Sequence, residues 1–597
     1  MKTLTQAQQS VIESCDGHNI VCSLPGSGKT ATMVECAMGL LANSYHQLLL
    51  VTFTNAATEE MRHRLFEKLP QQERGRVRIV NFDKLFVSLY KAQQRQSQQR
   101  LCVGVEQWQL IDRAVQESGI RTGFGEMGDI SQAIDKFSRQ LEPKDDGSGD
   151  GRYFKVFETY RTLKQTFLKV DLNDLTAAVL VMTQTQTRQL APLECSHILV
   201  DEFQDVSAQQ LEWLVLQGLQ GKKLIAFGDD DQSIYGWRGS CGYDAFVRLQ
   251  ETFGSAGHVL DTCFRCTREV LSAAAQLITH NKDRIDKRFI SGAGSGGRVA
   301  LFGRDGENRV PLTQDTFGVL ARNNSLLKGL HEALQRRGIP AELGRERSVL
   351  DDPEVNTVFR VLHVIRYPMN TPFLGDVLLS LKVPLDQIKP ILLSVAESGW
   401  FQLPLKGCPS AVKKLYGFSN NWRHTVRDQG SWKERQRQLA GIMPTASLKR
   451  SVDRVMNLMA ASGDDFWQQA EIWLRRLTQI RNAQSVERAQ VELRTFHSSK
   501  GLEYDRVIVT HLQENIIPGL DDSGDSELYH SQLEEARRLL FVAMTHAKHY
   551  LGMYCYGMGE DDAKGPSQFI TQLAADGGYP LRELDGSAAD SAALALQ

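Results

Sequence analysis

The sequence lacks a strong net charge. Its 69 Lys and Arg residues offset 71 Asp and Glu residues, which leaves a formal net charge of −2. Proteins that bind nucleic acids often carry excess positive charge, but a local basic groove can exist in a neutral chain. Overall charge therefore neither supports nor excludes nucleic acid as a partner.

Long apolar segments are also absent. No uninterrupted apolar run approaches the roughly 18–20 residues that a helix needs to cross a bilayer. The first ten residues, MKTLTQAQQS, lack the apolar stretch of a signal peptide. We therefore expect a cytoplasmic location and no membrane partner.

Metal-binding cysteine patterns are missing as well. The ten cysteines are scattered, and the one close pair, Cys263 and Cys266, has no second CxxC to complete a zinc site. We expect reduced thiols throughout. What is present is the composition of an ordinary globular protein, 42% hydrophobic and 23% charged. At 597 residues the chain is too long for one core, which suggests about three or four domains.

Strand and helix patterns alternate from the start of the chain. Apolar runs at residues 20–23 and 47–53 predict strands, and helical patterns follow at 29–42 and 56–69. This βαβα order implies a parallel sheet with helices on its faces. A second α/β unit is predicted to begin near residue 298. Further strands are predicted at residues 197–200, 223–227, 318–321, 491–496 and 507–510.

A glycine-rich turn follows the first predicted strand. The stretch SLPGSGKT at residues 23–30 matches the end of a phosphate-binding loop, in which backbone N–H groups surround phosphate oxygens. Lys29 would reach the β and γ phosphates, and the Thr30 hydroxyl would ligate Mg²⁺. The strict pattern has Gly where Ser23 stands. The expected nucleotide contacts of this loop are Ser23, Leu24, Pro25, Gly26, Ser27, Gly28, Lys29 and Thr30.

Two acidic residues end the strand predicted at 197–200. In ILVDEFQD, Asp201 would hold Mg²⁺, and Glu202 would orient and deprotonate the attacking water. The alternative is two surface acids at the start of a helix. The phosphate loop expected in the same sheet favours the catalytic interpretation, since parallel sheets bind ligands at the carboxyl ends of their strands.

The stretch GDDDQSIYGWRGS combines acids, an amide, two aromatic rings and a cation. Gln232 follows a strand end and could sense the γ-phosphate. Tyr235 and Trp237 lie two residues apart, so in an extended segment they would face one side and could stack on unpaired bases. The alternative is that both rings belong to the core. The nearby glycines favour the base-stacking interpretation.

Eight blocks of the sequence, in order, resemble superfamily 1 DNA helicases of the UvrD/Rep/PcrA type. They are LTQAQ (4–8), PGSGKT (25–30), TFTNAATEEMRHRL (52–65), VDEFQD (200–205), GDDDQSIYGWRG (228–239), FRCTREV (264–270), TFHSSKGLEYDRVIV (495–509) and EEARRLLFVAMTHAKHYL (534–551).

The resemblance implies an α/β fold with two RecA-like parallel-sheet P-loop NTPase cores, each interrupted by a mostly helical subdomain. ATP would bind between the cores. The expected segments are 1–84 and 184–263 for the first core, 85–183 for its insertion, 264–347 and 488–574 for the second core, 348–487 for its shorter insertion, and 575–597 for a flexible tail.

The resemblance also assigns roles to single residues. Arg265 would be an arginine finger that reaches the γ-phosphate from the second core. Arg238 would couple the third motif to the rest of the site, although a simple salt bridge is the alternative. His497 could instead be a structural histidine. The remaining implied contacts are Gln8, Phe264 and Glu503 for the nucleotide, and Phe53, Asn55 and His497 beside Tyr235 and Trp237 for DNA.

Three departures from the family pattern affect these expectations. His546 stands where the family has a second arginine finger, which predicts weaker γ-phosphate stabilisation or a histidine kept protonated by the phosphates. NFDKL at residues 81–85 replaces a TFHS-like block, so Asp83 would repel a DNA phosphate while Lys84 could attract one. The insertion at 348–487 is shorter than in long family members, which makes duplex opening less certain than translocation.

The sequence therefore predicts an ATP- and Mg²⁺-dependent 3′-to-5′ DNA helicase and single-stranded DNA translocase. Its expected substrates are single-stranded DNA and tailed or forked duplexes. One alternative is a DNA-stimulated ATPase subunit of a larger repair, recombination or defence complex that unwinds little by itself. The other is an RNA-directed enzyme. With 46 residues after Leu551, any nuclease is expected to be a separate partner.

Overall fold

The computed structural model describes most of the chain. The described residues are 4–93, 99–120, 126–145, 151–185, 193–302, 315–344, 352–367, 373–424, 432–460, 466–478, 490–520, 526–555, 565–579 and 581–582. Within them, no helix is both long and apolar enough to cross a membrane.

The first core is built from two separate stretches of chain. The first stretch contains α1 (Gln6–Ser14), β1 (Asn19–Ser23), α2 (Lys29–Leu41), β2 (Leu48–Thr52), α3 (Asn55–Lys68), β3 (Val77–Asn81) and α4 (Phe82–Gln93). Between the stretches lie β4 (Arg100–Leu101), α5 (Val105–Glu117), α6 (Glu126–Arg139), α7 (Arg152–Thr166), β5 (Lys169–Val170) and α8 (Leu172–Gln184). The second stretch contains β6 (His197–Val200), α9 (Ala208–Leu219), β7 (Lys223–Gly228), α10 (Tyr243–Phe253) and β8 (Ala256–Leu260).

All six strands of the first core are parallel, in the order β3-β2-β6-β7-β1-β8. The neighbours β6, β7 and β1 end at Val200, Gly228 and Ser23. Because carboxyl ends of parallel strands meet at one edge, the phosphate-loop sequence and both acidic stretches meet there. The buried strands are nearly all apolar, as expected for a sheet covered on both faces.

The second core starts with a segment that contains β9 (Thr262–Cys263), α11 (Arg268–Ile278) and β10 (Ile290–Ser291). In this segment β9 pairs with β10, and α11 packs in the apolar cluster of the second core. The sheet of the second core begins with β11 (Arg298–Phe302), β12 (Phe317–Ala321), α12 (Asn324–Arg336) and β13 (Glu342–Leu343). After a helical insertion it resumes with β14 (Val491–Thr495), β15 (Tyr504–Val509), α20 (Ser526–Met544), β16 (Ala547–Tyr554), α21 (Gln568–Gly577) and β17 (Leu581–Arg582). These seven strands form a second parallel sheet in the order β13-β14-β12-β15-β16-β11-β17.

The insertion in the second core is helical. It contains α13 (Pro353–Arg366), α14 (Leu374–Ser380), α15 (Leu385–Ser398), α16 (Ser410–His424), α17 (Trp432–Ile442), α18 (Ala446–Ala460) and α19 (Phe466–Thr478). Its apolar side chains form one hydrophobic cluster with those of α5, α6 and α7 in the first insertion. Gln109 donates to Thr357 at 2.7 Å across this junction, and the buried Lys169 pairs with Asp376 at 3.4 Å. The two insertions therefore share a hydrophobic core.

The two parallel sheets confirm the predicted fold class, while individual boundaries shift. The predicted strand at 197–200 is found unchanged, and helix 29–42 ends one residue earlier, at Leu41. Helices α4 and α8 pack in the apolar cluster of the first sheet, whereas the sequence prediction placed residues 85–183 in an insertion. The prediction of a flexible tail from residue 575 is wrong for its described part, because α21 continues to Gly577 and Leu581 pairs with Leu301 of β11. Residues 583–597 lie outside the described residues.

Candidate functional site

The loop between β1 and α2 has the backbone of an anion-binding turn. Gly26 and Gly28 have φ values of +67° and +83°, in the left-handed region that favours glycine. Gly28 directly precedes the first turn of α2, where free backbone N–H groups and the helix dipole attract negative charge. Lys29 and Thr30 begin this helix. The local conformation therefore suits the phosphate binding that the sequence predicts.

Gln8 lies against this loop. Its side-chain Nε2 donates to the Ser27 carbonyl at 3.1 Å, and its Oε1 accepts from Thr5 N at 2.9 Å. A Cβ added to Gly28 would lie 2.8 Å from Gln8 Nε2, so glycine permits this close approach. Ser23 is anchored on the neighbouring strand end, since its Oγ donates to the Gly228 carbonyl at 3.1 Å.

Lys29 contacts both acidic residues that follow β6. Its Nζ lies 2.5 Å from Glu202 Oε1 and 3.4 Å from Asp201 Oδ1. Burial alone would lower the pKa of Lys29, but the two carboxylates outweigh it and raise this pKa. Burial tends to raise the pKa of Glu202, but Lys29 and Lys500 together bring it down to about 2. Glu202 is therefore a carboxylate at neutral pH, as an acceptor of a water proton must be.

Glu202 is held in an unusual backbone conformation. Its φ of +50° is left-handed although it is not a glycine, which costs about 1–3 kcal/mol and is typical of functional sites. Gln204, fully buried, donates to Glu202 Oε2 at 2.6 Å and accepts from Asp229 N at 3.0 Å. Gln204 therefore joins the acidic pair to the Gly228–Gln232 loop. The sequence analysis missed this role.

The second core contributes residues directly to the same loop. Phe264 N donates to the Gly26 carbonyl at 2.9 Å, and a Cβ at Gly26 would lie 2.5 Å from Arg265 Cβ. The Arg265 guanidinium donates to Glu503 at 3.2 Å and to the Thr545 carbonyl at 3.3 Å. The structure thus brings the predicted residues Arg265, Phe264 and Glu503 to the phosphate loop.

Lys500 connects the two cores at the centre of the site. From the second core its Nζ reaches Asp205 Oδ2 at 2.5 Å and the Gln232 carbonyl at 3.2 Å. It also lies 5.0 Å from the centre of the Tyr235 ring. The sequence analysis quoted Lys500 within KGLEY without giving it a role. Its position after a predicted strand of the second α/β unit could have indicated a role at the carboxyl edge of that sheet.

The three consecutive aspartates surround one buried lysine. Lys287 Nζ lies 2.6 Å from Asp229 and 2.7 Å from both Asp230 and Asp231, and all four side chains are fully buried. Arg284 adds a second cation at 2.8 Å from Asp231. Asp229 also accepts from Gln232 Nε2 at 2.6 Å. The aspartates therefore fix the Gln232 loop. Sequence reasoning missed Lys287 because it lies 58 positions from Asp229.

Four of the five side chains predicted to contact DNA form one aromatic cluster. Phe53 stacks on Tyr235 with ring centres 5.7 Å apart, and His497 lies 6.0 Å from Tyr235 and 6.1 Å from Trp237. The expected extended segment is wrong, because Gly236–Arg238 forms a 3-10 turn. The rings of Tyr235 and Trp237 are nevertheless neighbours, 6.4 Å apart, and both are half-buried.

Burial keeps His497 neutral. Its pKa is lowered to about 4 by burial first and by Arg322 second. Asn55 is exposed beside the cluster, where its Oδ1 accepts from Asn81 at 3.1 Å. Asp83 and Lys84 are both exposed in the first turn of α4. A neutral imidazole next to aromatic rings suits base contact better than phosphate contact.

Arg238 makes the salt bridge that the sequence left as an alternative. Its Nε and terminal nitrogen donate to Asp135 of α6 at 3.2 and 3.1 Å, and the guanidinium lies over the Trp237 ring. These contacts connect the loop with the first helical insertion. The salt bridge of Arg238 with Asp135 is therefore compatible with the expected role of Arg238 in coupling the third motif to the rest of the site.

His546 is buried beside the arginine of the second core. Its Nδ1 donates to the Leu502 carbonyl at 2.8 Å, whereas Nε2 has no hydrogen-bond partner among the described residues. Burial first and Arg265 second lower its pKa to about 3. His546 is neutral in this environment, which favours the first of the two expectations, weaker γ-phosphate stabilisation.

Comparison with known families identifies the chain. Residues 4–253 match the UvrD/REP helicase N-terminal domain, and residues 428–556 match the UvrD-like helicase C-terminal domain. Together the two matches cover more than half of the chain. The chain belongs to the UvrD/Rep helicase family.

Relatives of this helicase are similar over nearly its whole length. DNA helicase II of Salmonella typhimurium is 25% identical, over 96% of this chain and 88% of that protein. The ATP-dependent DNA helicase Rep of Buchnera aphidicola is also 25% identical, over 96% and 98% of the two chains. The ATP-dependent DNA helicase PcrA of Leuconostoc citreum is 23% identical, over 96% and 86%. The alignments therefore span nearly the whole chain and at least 86% of each of these three relatives.

Proposed function

We propose that this helicase hydrolyses ATP between its two cores and uses the hydrolysis to move 3′ to 5′ along single-stranded DNA and to unwind duplexes. Lys29 binds the β and γ phosphates. Glu202 takes a proton from the attacking water. Gln232 and Arg265 contact the γ-phosphate from opposite sides of the cleft, so release of the γ-phosphate removes one contact in each core.

The remaining nucleotide contacts follow from position. Residues 23–28 and Thr30 surround the phosphates, and Gln8 lies beside them. Phe264, Glu503 and His546 border the cleft from the second core. The Thr30 hydroxyl and the Asp201 carboxylate are oxygen ligands of the type that Mg²⁺ prefers, and they would hold it there to neutralise phosphate charge.

The observation that carries this proposal is the position of the 229–238 loop. Gln232 at one end is fixed by Asp229, and Tyr235 and Trp237 at the other end join Phe53 and His497 in the aromatic cluster. Lys500 contacts Asp205, the Gln232 carbonyl and the Tyr235 ring together. A change at the γ-phosphate can therefore reach the base-stacking rings through a few direct contacts.

Replacing Lys500 tests this coupling. Hydrogen bonds of charged groups contribute about 1.5–3 kcal/mol, so Lys500→Ala should reduce the stimulation of ATP hydrolysis by single-stranded DNA about 10- to 150-fold. Hydrolysis without DNA should change less. Lys68→Ala is the matched control, because Lys68 forms an ion pair with Glu35 on the surface of the same protein. Unchanged stimulation in Lys500→Ala would rule out this route of coupling.

Direction and substrate need separate assays. Duplexes with a 3′ or a 5′ single-stranded tail are compared in strand displacement, and the proposal requires displacement from the 3′ tail. Stimulation of hydrolysis by single-stranded DNA and RNA is compared in parallel, and stronger stimulation by RNA would replace DNA as the proposed substrate. Lys29→Ala should abolish hydrolysis in every assay.

The alternative is a DNA-stimulated ATPase within a larger repair, recombination or defence complex. The buried, neutral His546 at the second arginine position favours it, because weaker γ-phosphate stabilisation would slow each step. Hydrolysis stimulated by DNA but without strand displacement would support this alternative. A nuclease or repair protein recovered with the tagged full chain from its host would identify such a partner.

A further inference from the structure

Two histidines and one aspartate converge at the edge of the first sheet opposite the nucleotide loop. Asp16 follows α1, His46 precedes β2, and His197 is the first residue of β6. Asp16 Oδ1 lies 3.2 Å from His197 Nε2 and 3.7 Å from His46 Nε2. One ligand atom of each residue lies within 4.8 Å of the other two. None of these residues has a role in the proposed reaction.

The hydrogen bonds of the outer ring nitrogens determine which nitrogens are protonated. His46 Nδ1 lies 3.1 Å from the Leu40 carbonyl, which can only accept, so Nδ1 carries the proton. His197 Nδ1 lies 2.9 Å from Ser196 Oγ. When the Ser196 hydroxyl donates to the Gln47 carbonyl at 3.0 Å, it accepts from His197 Nδ1. In the tautomers with protonated Nδ1, both histidines present an unprotonated Nε2 toward Asp16.

In these tautomers three electron-pair donors face one another, and the Asn43 amide is a neighbouring N–H donor to His46 Nε2. Lone pairs on two imidazole nitrogens beside a carboxylate oxygen repel one another unless a cation lies among them. Additional protons on the imidazoles are one source of positive charge. A bound metal cation is the other source.

The spacing also suits a small transition-metal ion. Ligands at about 2.0–2.2 Å from a tetrahedral Zn²⁺ are roughly 3.3–3.5 Å apart, close to the two distances here. Metal-bound histidines usually donate their other N–H to a carbonyl or another oxygen, and here the Nδ1 atoms of His46 and His197 face the Leu40 carbonyl and Ser196 Oγ. An ion would displace in part the Asn43 amide, which lies 3.3 Å from His46 Nε2.

We propose that Asp16, His46 and His197 bind one Zn²⁺ ion, with its fourth position open to solvent. Imidazole nitrogens suit Zn²⁺, whereas Mg²⁺ prefers a shell of oxygen ligands. The ion joins the α1–β1 loop, the α2–β2 loop and the start of β6. Since β6 has four residues, the ion lies roughly 13 Å from the Asp201 end of this strand. Its effect is therefore on stability and not on hydrolysis.

Titration of the metal-stripped full chain with Zn²⁺ tests the site. Isothermal calorimetry of the wild type should show one equivalent that is lost in His46→Ala and in Asp16→Asn. Both substitutions are at exposed or half-buried positions, so folding is expected to survive. His63→Ala is the matched control, because His63 lies 3.5 Å from Glu67 in an exposed histidine–carboxylate pair. This control should keep the equivalent.

Two further measurements, a Co²⁺ absorption spectrum and the thermal unfolding midpoint, also test the site. Co²⁺ should give a visible d–d spectrum in the wild type and in His63→Ala, with much weaker absorption in His46→Ala. Zn²⁺ should raise the thermal unfolding midpoint of the same two proteins only. Equal binding by wild type and His46→Ala would overturn the proposal and place the zinc on other histidines or cysteines.

Discussion

Lys287 Nζ lies 2.6 Å from Asp229 Oδ1, and neither side chain is exposed. The other oxygen of Asp229 accepts from Gln232 at 2.6 Å. Residues 281–283 meanwhile contact α20, where Asn281 donates to the Glu534 carbonyl and accepts from Arg537. One short segment therefore holds the proposed γ-phosphate sensor and also contacts a helix of the second core.

Removing the Lys287 charge should weaken the contacts that hold Gln232, the proposed γ-phosphate sensor, in position. Lys287→Met leaves three buried aspartates with less compensation, and breaking a buried ion pair costs about 3–5 kcal/mol. We expect a lower unfolding midpoint and a fall in kcat for ATP that exceeds the change in KM. The double variant Lys287→Met/Asp230→Asn removes one charge of each sign. It should recover stability without recovering kcat. Recovery of both would mean that Lys287 only stabilises the fold.

Coupling between the cores should depend on pH. Burial first, opposed by Lys500, raises the pKa of Asp205 to about 6. The ion pair with Lys500 needs the carboxylate, so DNA stimulation of hydrolysis should decline as the pH falls through about 6. Protonation of Asp205 does not itself destabilise the fold, because a raised carboxyl pKa stabilises the folded state at low pH and withdraws that stabilisation as the pH rises through 6.

Asp205→Asn separates this effect from other titrations. The variant should show weak DNA stimulation at pH 8 and no further decline between pH 7 and 5. The measurement is the ratio of hydrolysis rates with and without single-stranded DNA across this range. An unchanged acid limb in Asp205→Asn would assign the decline to another group, and Asp229, whose pKa burial also raises to about 6, would be the next candidate.

A second arginine should strengthen hydrolysis. Arginine fingers contribute about 10³–10⁵ to turnover, and His546, with a pKa of about 3, supplies no charge. His546→Arg should raise the DNA-stimulated kcat about ten-fold, a small part of that range because Arg265 is already present. His549→Arg, three residues away and half exposed, is the control. If both variants match the wild type at every pH, position 546 does not limit γ-phosphate stabilisation.

The aromatic cluster should determine the affinity for single-stranded DNA. Stacking contributes about 1–3 kcal/mol per base, so Tyr235→Ala or Trp237→Ala should weaken the Kd for single-stranded DNA roughly 5- to 150-fold. Tyr45, 89% exposed on the same core, provides a control at Tyr45→Ala. Fluorescence anisotropy with labelled oligonucleotides measures the loss. Wild-type affinity in both variants would contradict the assignment of these rings to DNA.

Features that depend on contiguous residues could be predicted from the sequence. The phosphate loop needs Gly26 and Gly28 in left-handed conformations before a helix, and all of this lies within a few residues. The strand ends that carry Asp201 and Asp229 were also predictable, because parallel order places them at one edge. Arg265 could be placed only through the family resemblance, since its neighbours Gly26 and Thr545 lie far away in sequence.

Long-range pairings and tight turns escaped prediction. Lys287 and Gln204 act through buried partners that no local pattern indicates. The Gly236–Arg238 turn replaced the expected extended segment because glycines on both sides of Trp237 allow the chain to bend there. The short strand β17 was missed because two residues carry no periodicity, and its pairing with β11 depends on the completed sheet.

The hydrophobic core shared by the two helical insertions has a mechanical consequence. Separating the two insertions would expose apolar side chains of both to water. It would also break the ion pair between Lys169 and Asp376 at the same time. Small, graded rocking between them is therefore unfavourable. The two insertions should move relative to the cores as one rigid body, or else switch between two discrete states, one packed together and one separated.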